Sequence, residues 1–307
     1  MPKQRSEAFF TDMVDAINGL YGAHPGRRAV HAKGIYLKGS FRSTAAGAAH
    51  SRARHLQTGD TPVTARFSNG SGLPLAPDAD PDARGLAVKF HLPEGKSTDL
   101  VSITIPAFPV KTPEDFVEFT RARSPLPETG KPDQARVGAF VAKHPETQRV
   151  LGLMGAAPPP TSYATSSFNS IHTFMLTNSK GVTTPARYRV VPVGAAPRPI
   201  DAASANAFQD DVRARLSAGP LHFDLIYILA GAGDDLLDPT TPWPAGRTEV
   251  NCGRLSLSEV LEVPAGPDDT HIFDPTNVTD GIACSEDEIL HARSGAYSVS
   301  YARRTRR

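Results

Sequence analysis

Between Gly34 and Ile105 the chain is cut into short runs rich in branched and aromatic residues: Gly34–Phe41, Val63–Phe67, Leu86–Leu92 and Leu100–Ile105. Glycine, proline, aspartate and asparagine stand between them. Runs this short, separated by residues that favour reversals, predict an antiparallel sheet or barrel. Two further runs, Ile171–Leu176 and Tyr188–Val193, flank Asn178–Gly181, a hairpin-turn signature, and His222–Leu229 reads as another strand. Helical spacing brackets this β texture. Phe9, Met13, Ile17 and Leu20 recur on one face ahead of Gly22, and 113–123 carries acids in its first turn and arginines in its last. Pro132 to about Leu153 is a helical stretch closed by Pro158–Pro160, and Ala202–Leu216 and 287–304 are helical too. No repeat or linker divides the chain. The expectation is a single α+β domain over 1–307, with 1–27 as an N-terminal helical arm.

Charge and composition exclude several classes. The 33 basic and 32 acidic residues nearly cancel, so a polyanion-binding surface is not indicated, and no nucleic-acid partner is expected. No apolar stretch is long enough to span a bilayer, and no apolar segment follows the first charges, so a cytoplasmic chain without a membrane partner is expected. Two cysteines, Cys252 and Cys284, cannot build a disulfide framework and read as small buried hydrophobes. The run Asp78–Asp82 resembles a calcium loop but has Ala83 and Lys89 where that loop needs glycine and an acid, so it reads as a solvated turn. The sequons at Asn69 and Asn277 and the pair Gly231/Gly233 lack the context that would give them function.

Chemistry first shows in the last helix. Arg293 and Tyr297 are four residues apart and share a face, and Arg304, eleven residues beyond Arg293, falls near the same line. A guanidinium beside a phenol favours the phenolate, a hard anionic ligand suited to ferric iron. On spacing alone the pair could equally be packed surface side chains, and Tyr301 could take the same role.

Several blocks, taken in order, resemble the haem catalase family, most closely its small catalase-related peroxidases. They are Arg28–Gly34 with His31 at its centre, Ala65–Ser68, Asp82–Phe90, Asp99–Val101 ahead of Pro106 and Phe116, Ser170–Phe174, and Phe273–Pro275 followed by Gly281, Asp287, Arg293 and Tyr297. The resemblance runs from about Arg28 to Arg304. It implies a catalase-like antiparallel β-barrel core with flanking helices and a haem, expected to be b-type, between barrel and C-terminal helix. It implies Tyr297 as proximal tyrosinate ligand held by Arg293, and His31 as the distal acid–base group that moves a proton between the peroxide oxygens, oriented by Ser68. Arg28, Arg66 and Arg304 match arginines near the haem propionates, Phe116 matches a phenylalanine stacked on the porphyrin, and Val30 matches a residue narrowing the channel.

One departure bears on the reaction. Where the family's full catalases carry an asparagine that helps bind peroxide, this chain has Ile103, with Ser102 and Thr104 beside it as possible substitutes. The chain also lacks the long arm and NADPH-binding region of full catalases, so no NADPH and a simpler homo-oligomer are expected. The implied function is a peroxidase that reduces hydrogen peroxide or organic hydroperoxides with a small organic reductant, with weak catalase activity. A fatty-acid hydroperoxide isomerase and a non-catalytic haem-binding barrel are the alternatives.

Overall fold

A computed structural model describes the chain except Met1, Pro159, Ala202, Ala265, Pro267, Asp268 and Arg307. Its strands are β1 (Gly34–Ser43), β2 (Asp60–Asn69), β3 (Arg84–His91), β4 (Ser97–Ile103), β5 (Phe168–Asn169), β6 (Phe174–Thr177), β7 (Thr183–Val193), β8 (Leu221–Leu229), β9 (Glu249–Leu261) and β10 (Ile282–Cys284). The helices are α1 (Glu7–Tyr21), α2 (Ala45–His50), α3 (Pro113–Ala122), α4 (Gln134–Lys143), α5 (Pro145–Ala156), α6 (Ala207–Leu216) and α7 (Glu288–Thr305). All strand pairings are antiparallel, in the order β7-β5-β4-β3-β2-β1-β9-β8, and β8 pairs back onto β7 to close an eight-stranded barrel. Closure removes the exposed edges that an open sheet would present. The α+β class and barrel core expected from the sequence are those observed.

The barrel is filled from alternate positions of its strands, as a period of two requires. Val63, Ala65 and Phe67 of β2, Leu86, Val88 and Phe90 of β3, and Phe223 and Leu225 of β8 share one core. Phe67 stacks on Tyr163 at 5.3 Å between ring centroids and touches Phe168 and Phe223. The intervening residues of β2, Thr64, Arg66 and Ser68, are also buried, so the barrel's outer face is covered at this point. The cover is helical. Met13 and Val14 of α1, Val117 of α3 and Ala296 of α7 form a second cluster. Gly295 lets α1 approach α7, since a Cβ there would sit 2.5 Å from the Phe10 ring.

Four sequence expectations are corrected. The stretch 132–153 is two helices, α4 and α5, because Pro145 has no amide hydrogen to continue the first and restricts His144 before it. The helix expected from Ala202 begins at Ala207, and Ala202 itself lies outside the described residues, as does Pro159 of the proline run. The longest strand, β9, was not expected, because its pattern is interrupted by Asn251, Gly253 and Arg254. The run Asp78–Asp82 is not a wholly solvated turn. Asp78 is completely buried, its carboxylate 2.9 Å from Lys33 Nζ and accepting hydrogen bonds from Asn69 Nδ2 (2.8 Å) and Phe208 N (2.9 Å). Of the cysteines, Cys252 is buried and Cys284 only partly so, and both are free thiols. Among the described residues no helix is long and apolar enough to cross a membrane.

The Lys33–Asp78 pair yields a stability test. Removing one partner of a buried ion pair strands the other charge, at a cost of about 3–5 kcal/mol. Asp78→Ala should lower the urea unfolding free energy by about that much, and a loss under about 1 kcal/mol would show the pair to be dispensable.

Candidate active site

A cavity of about 390 Å³ lies against the covered outer face of the barrel, between the wall from β2 to β5 and helices α1, α3 and α7. Strand register sets that wall. Ser68 is opposite Gly85, Gly85 opposite Ile103, and Ile103 opposite Asn169. Residues directly opposed across antiparallel strands project to the same face, so these four positions form one row across the cavity. All four line it.

His31 sits over this row. It precedes β1 in a left-handed backbone conformation, φ 53°, which is uncommon for a residue with a side chain. Its amide donates to Gly70 O (3.2 Å), and its ring Nδ1 is 2.9 Å from Ser68 Oγ. Gly85 leaves room for the ring, since a Cβ there would lie 2.8 Å from Ser68 Oγ and 3.0 Å from the imidazole. Burial, with Arg66, Arg293 and Arg28 nearby, pulls the imidazole down to about 3, so His31 is neutral near pH 7.

Across the cavity, α7 presents Tyr297. Arg293 Nε and Nη2 both donate to its oxygen, at 2.9 and 2.5 Å. Arg293 Nη1 also points to His172 Nε2 at 3.0 Å, and His172 Nδ1 is 2.6 Å from Asp287 Oδ2. A guanidinium has only donors, so His172 Nε2 must accept and Nδ1–H must donate to Asp287. That fixes a neutral His172, in agreement with burial lowering its pKa. Asp287 is itself fixed as the cap of α7, its Oδ1 accepting from Ile289 N and Leu290 N. Tyr301, the competing tyrosine, does not line the cavity and instead lies under the Arg304 guanidinium, 4.9 Å from its ring centroid.

A third group is cationic. Arg28, Arg66 and Arg304 all line the cavity and converge near Tyr36, Asp269 and His271. Arg28 Nη2 donates to Tyr36 OH (2.5 Å) and to His271 O (2.7 Å), with Asp269 Oδ2 at 3.2 Å, and Tyr36 OH donates to Asp269 (2.8 Å). Arg304 Nη2 donates to the same His271 carbonyl (2.7 Å), while Arg66 lies over the Tyr36 ring at 5.3 Å. Burial and the neighbouring Arg28 lower both Arg66 and Arg304 to about 10. Burial raises the Asp269 carboxyl, but hydrogen bonding to His271, the Arg28 charge and the Tyr36 hydroxyl outweigh it and hold the carboxyl well below its usual range. Phe116, stacked on Phe108 at 5.8 Å, and Val30 also line the cavity. All nine residues singled out from the sequence therefore border one cavity.

Of the two candidates for the missing amide, Ser102 borders the cavity and Thr104 does not, and both hydroxyls are engaged. Ser102 alternates with Ile103 and spends its hydroxyl on Leu86 O (2.9 Å); Thr104 Oγ1 accepts from Arg84 N (3.0 Å).

The sequence profile of the family described as Catalase matches residues 22–212. The chain is 35% identical to a catalase-related peroxidase of Synechococcus elongatus, covering 96% of this chain and 88% of that one. It is 36% identical to a catalase-related peroxidase of Mycolicibacterium paratuberculosis, covering 95% and 93%. The chain belongs to the catalase family. Its fold superposes on a bacterial catalase with a TM-score of 0.80 at 24% identity, and on catalase A from Saccharomyces cerevisiae with 0.78 at 22%. It covers 91% of its own length in both and spans 57% and 61% of those chains. Membership places it among the small catalase-related peroxidases, makes it an oxidoreductase acting on peroxide, and implies haem as its cofactor.

The cavity fits that group. Three guanidiniums face the single Asp269 carboxylate, and Arg28 Nε and Arg66 Nε have no partner among the described residues. The surplus positive charge matches the two carboxylates that haem carries, in a fork geometry that suits them. Four participants escaped the sequence reading. His172 and Asp287 fell inside matched blocks without a role, while Tyr36 and Asp269 lie 233 residues apart and carry no local signal.

The histidines give a pH prediction. His31 and His55 sit at about 3 in the folded protein, His55 through burial between Phe41 and Phe90 with both ring nitrogens unpartnered. Between about pH 3 and 6.5 the unfolded chain binds protons that these rings refuse, so their full stability is present above pH 6.5 and falls on acidification. Urea midpoints measured from pH 7.5 to 4.5 should decline, and His55→Leu should flatten the decline. An identical slope in that variant would refute the assignment.

Proposed function

We propose that this protein is a haem-dependent peroxidase that reduces hydrogen peroxide or organic hydroperoxides at the expense of an organic electron donor, with weak catalase activity. The observation that carries the reading is one cavity holding a buried neutral imidazole paired with a hydroxyl on one wall and a phenol paired with a guanidinium on the other. When bound there, haem supplies the redox centre at which the peroxide O–O bond is cleaved.

The chain's own residues supply the rest. With Nδ1–H donating to Ser68 Oγ, His31 keeps Nε2 as an acceptor facing the cavity. It takes a proton from one peroxide oxygen and returns it to the other, which leaves as water. Its low basicity keeps it deprotonated and ready at neutral pH. Tyr297 would hold the haem iron through its phenol oxygen, which accepts two hydrogen bonds from Arg293, and His172 and Asp287 hold that arginine in place. Arg28, Arg66 and Arg304 would hold the two haem carboxylates, and Phe116 and Val30 would shape the apolar space beside the group. A b-type, non-covalently held haem is supported because neither cysteine lines the cavity. The apolar Ile103 on the row beneath His31 supports peroxidase chemistry over disproportionation of hydrogen peroxide. The reading takes residues 1–307 as one cytoplasmic haem domain in which the arm's helix α1 covers the cavity.

The purified holoprotein should show a Soret band and oxidise a phenolic dye only with peroxide. His31→Ala should lower that rate by about 10²- to 10⁴-fold while keeping haem, the usual range for losing a positioned acid–base group. An undiminished rate would remove the role. Tyr297→Phe should lose haem absorbance on gel filtration and Tyr301→Phe should not; the opposite pattern would reassign the ligand.

A further inference from the structure

We infer that the Asn169 carboxamide is a peroxide-binding group of this cavity, acting opposite His31; the inference rests on the peroxidase reading above. Once His31 Nδ1 is engaged by Ser68, the imidazole offers a single nitrogen to the cavity. A hydroperoxide has two oxygens, and while one gives its proton to that nitrogen the other needs a separate donor to hold it in place. The row under the imidazole decides what is available. Ser68 is committed to His31, Gly85 has no side chain, and Ile103 is apolar. The next position along the same row, on β5, is Asn169.

Register makes the placement specific. Asn169 is the direct partner of Ile103, so the two side chains share a face and stand about one strand spacing apart, ~4.8 Å. Its neighbours Phe168 and Ser170 alternate to the opposite side, where both are buried. Asn169 is half-buried and lines the cavity. Its amide is only loosely engaged, since Nδ2 lies 3.3 Å from Thr104 O and 3.5 Å from Ile103 O, at the long edge of hydrogen bonding. Its Oδ1 accepts nothing from the described residues. The other polar groups on the cavity wall are engaged elsewhere. Arg293 and Tyr297 hold each other, Arg28, Arg66 and Arg304 gather around Asp269, Arg123 lies over the Phe119 ring, Ser102 donates to Leu86 O, and the Ser300 hydroxyl accepts from Ala29 N. Asn169 is the neutral donor left with capacity on the His31 wall. A neutral amide suits peroxide, because it can donate to one oxygen or accept from the other without shifting the charge that His31 handles.

The experiment uses the haem-loaded protein. Asn169→Ala should raise the peroxide concentration giving half-maximal dye oxidation about tenfold, the effect of losing one net hydrogen bond, with kcat changed less than threefold. A second measurement does not depend on turnover. Cyanide affinity of the resting protein, followed by absorbance, should fall severalfold, because the same donor serves a small bound anion. Adding Ile103→Asn to Asn169→Ala moves an amide one strand along the row and should recover most of both losses. If Asn169→Ala sheds its haem, Asn169→Asp keeps the shape, removes both donor hydrogens and decides on the same two measures. Unchanged peroxide dependence and cyanide affinity in a haem-replete variant would overturn the assignment. If the wild-type holoprotein oxidises no dye, the peroxidase reading falls first; a normal wild type beside an unaltered variant removes Asn169 alone.

Discussion

The His31 wall of the cavity, against which the other groups are placed, depends on the register of the β2–β3–β4–β5 ladder, because that register decides which side chains leave the barrel's interior and which of them stand side by side. Ser68 reaches His31 from the outer face of β2, Gly85 opposite it makes room for the imidazole, and Ile103 and Asn169 continue the same line. A slip of one residue in β2 would send Ser68 into the barrel and bring Phe67 out beneath the histidine. The interior aromatic packing and the chemistry outside are therefore held by a single constraint. Closure of β8 on β7 adds rigidity, since no strand of the barrel is free to fray from an edge.

On the opposite wall the constraint is a chain of committed hydrogen bonds. Asp287 caps α7 with one carboxylate oxygen and fixes His172 with the other; His172 then accepts from Arg293 Nη1, and Arg293 donates from Nε and Nη2 to Tyr297. The phenol is thus aimed by a hydrogen-bond chain that begins at the helix cap. In the third cluster the logic is electrostatic. Three guanidiniums share one carboxylate, and burial beside one another makes it easier for Arg66 and Arg304 to lose their charge, a cost that an anionic ligand offsets.

These three arrangements differ in how far they could be read from the residues alone. Arg293 and Tyr297 lie one helical turn apart, and His31 and Ser68 lie in blocks that resemble a known family, so they could be singled out. His172 and Asp287 are 115 residues apart, and Tyr36 and Asp269 are 233 apart, so their pairing has no local trace. The buried Asp78 misled for a related reason. A run of acids and prolines looks solvated until the fold brings Lys33 and Asn69 to it.

By its own residues, the sequence determined what depends on local spacing. The alternating runs made antiparallel strands, and the i, i+4 spacing put Arg293 beside Tyr297. Only the tertiary structure decided what depends on contacts between distant segments. It put Tyr297 on the cavity wall and Tyr301 off it, turned the Ser102 hydroxyl to Leu86 O, and put Asn169 beside Ile103. The physical reason is the same in each case. Backbone periodicity states which residues share a face, but only closure of the barrel and packing of α1, α3 and α7 against it determine what that face meets.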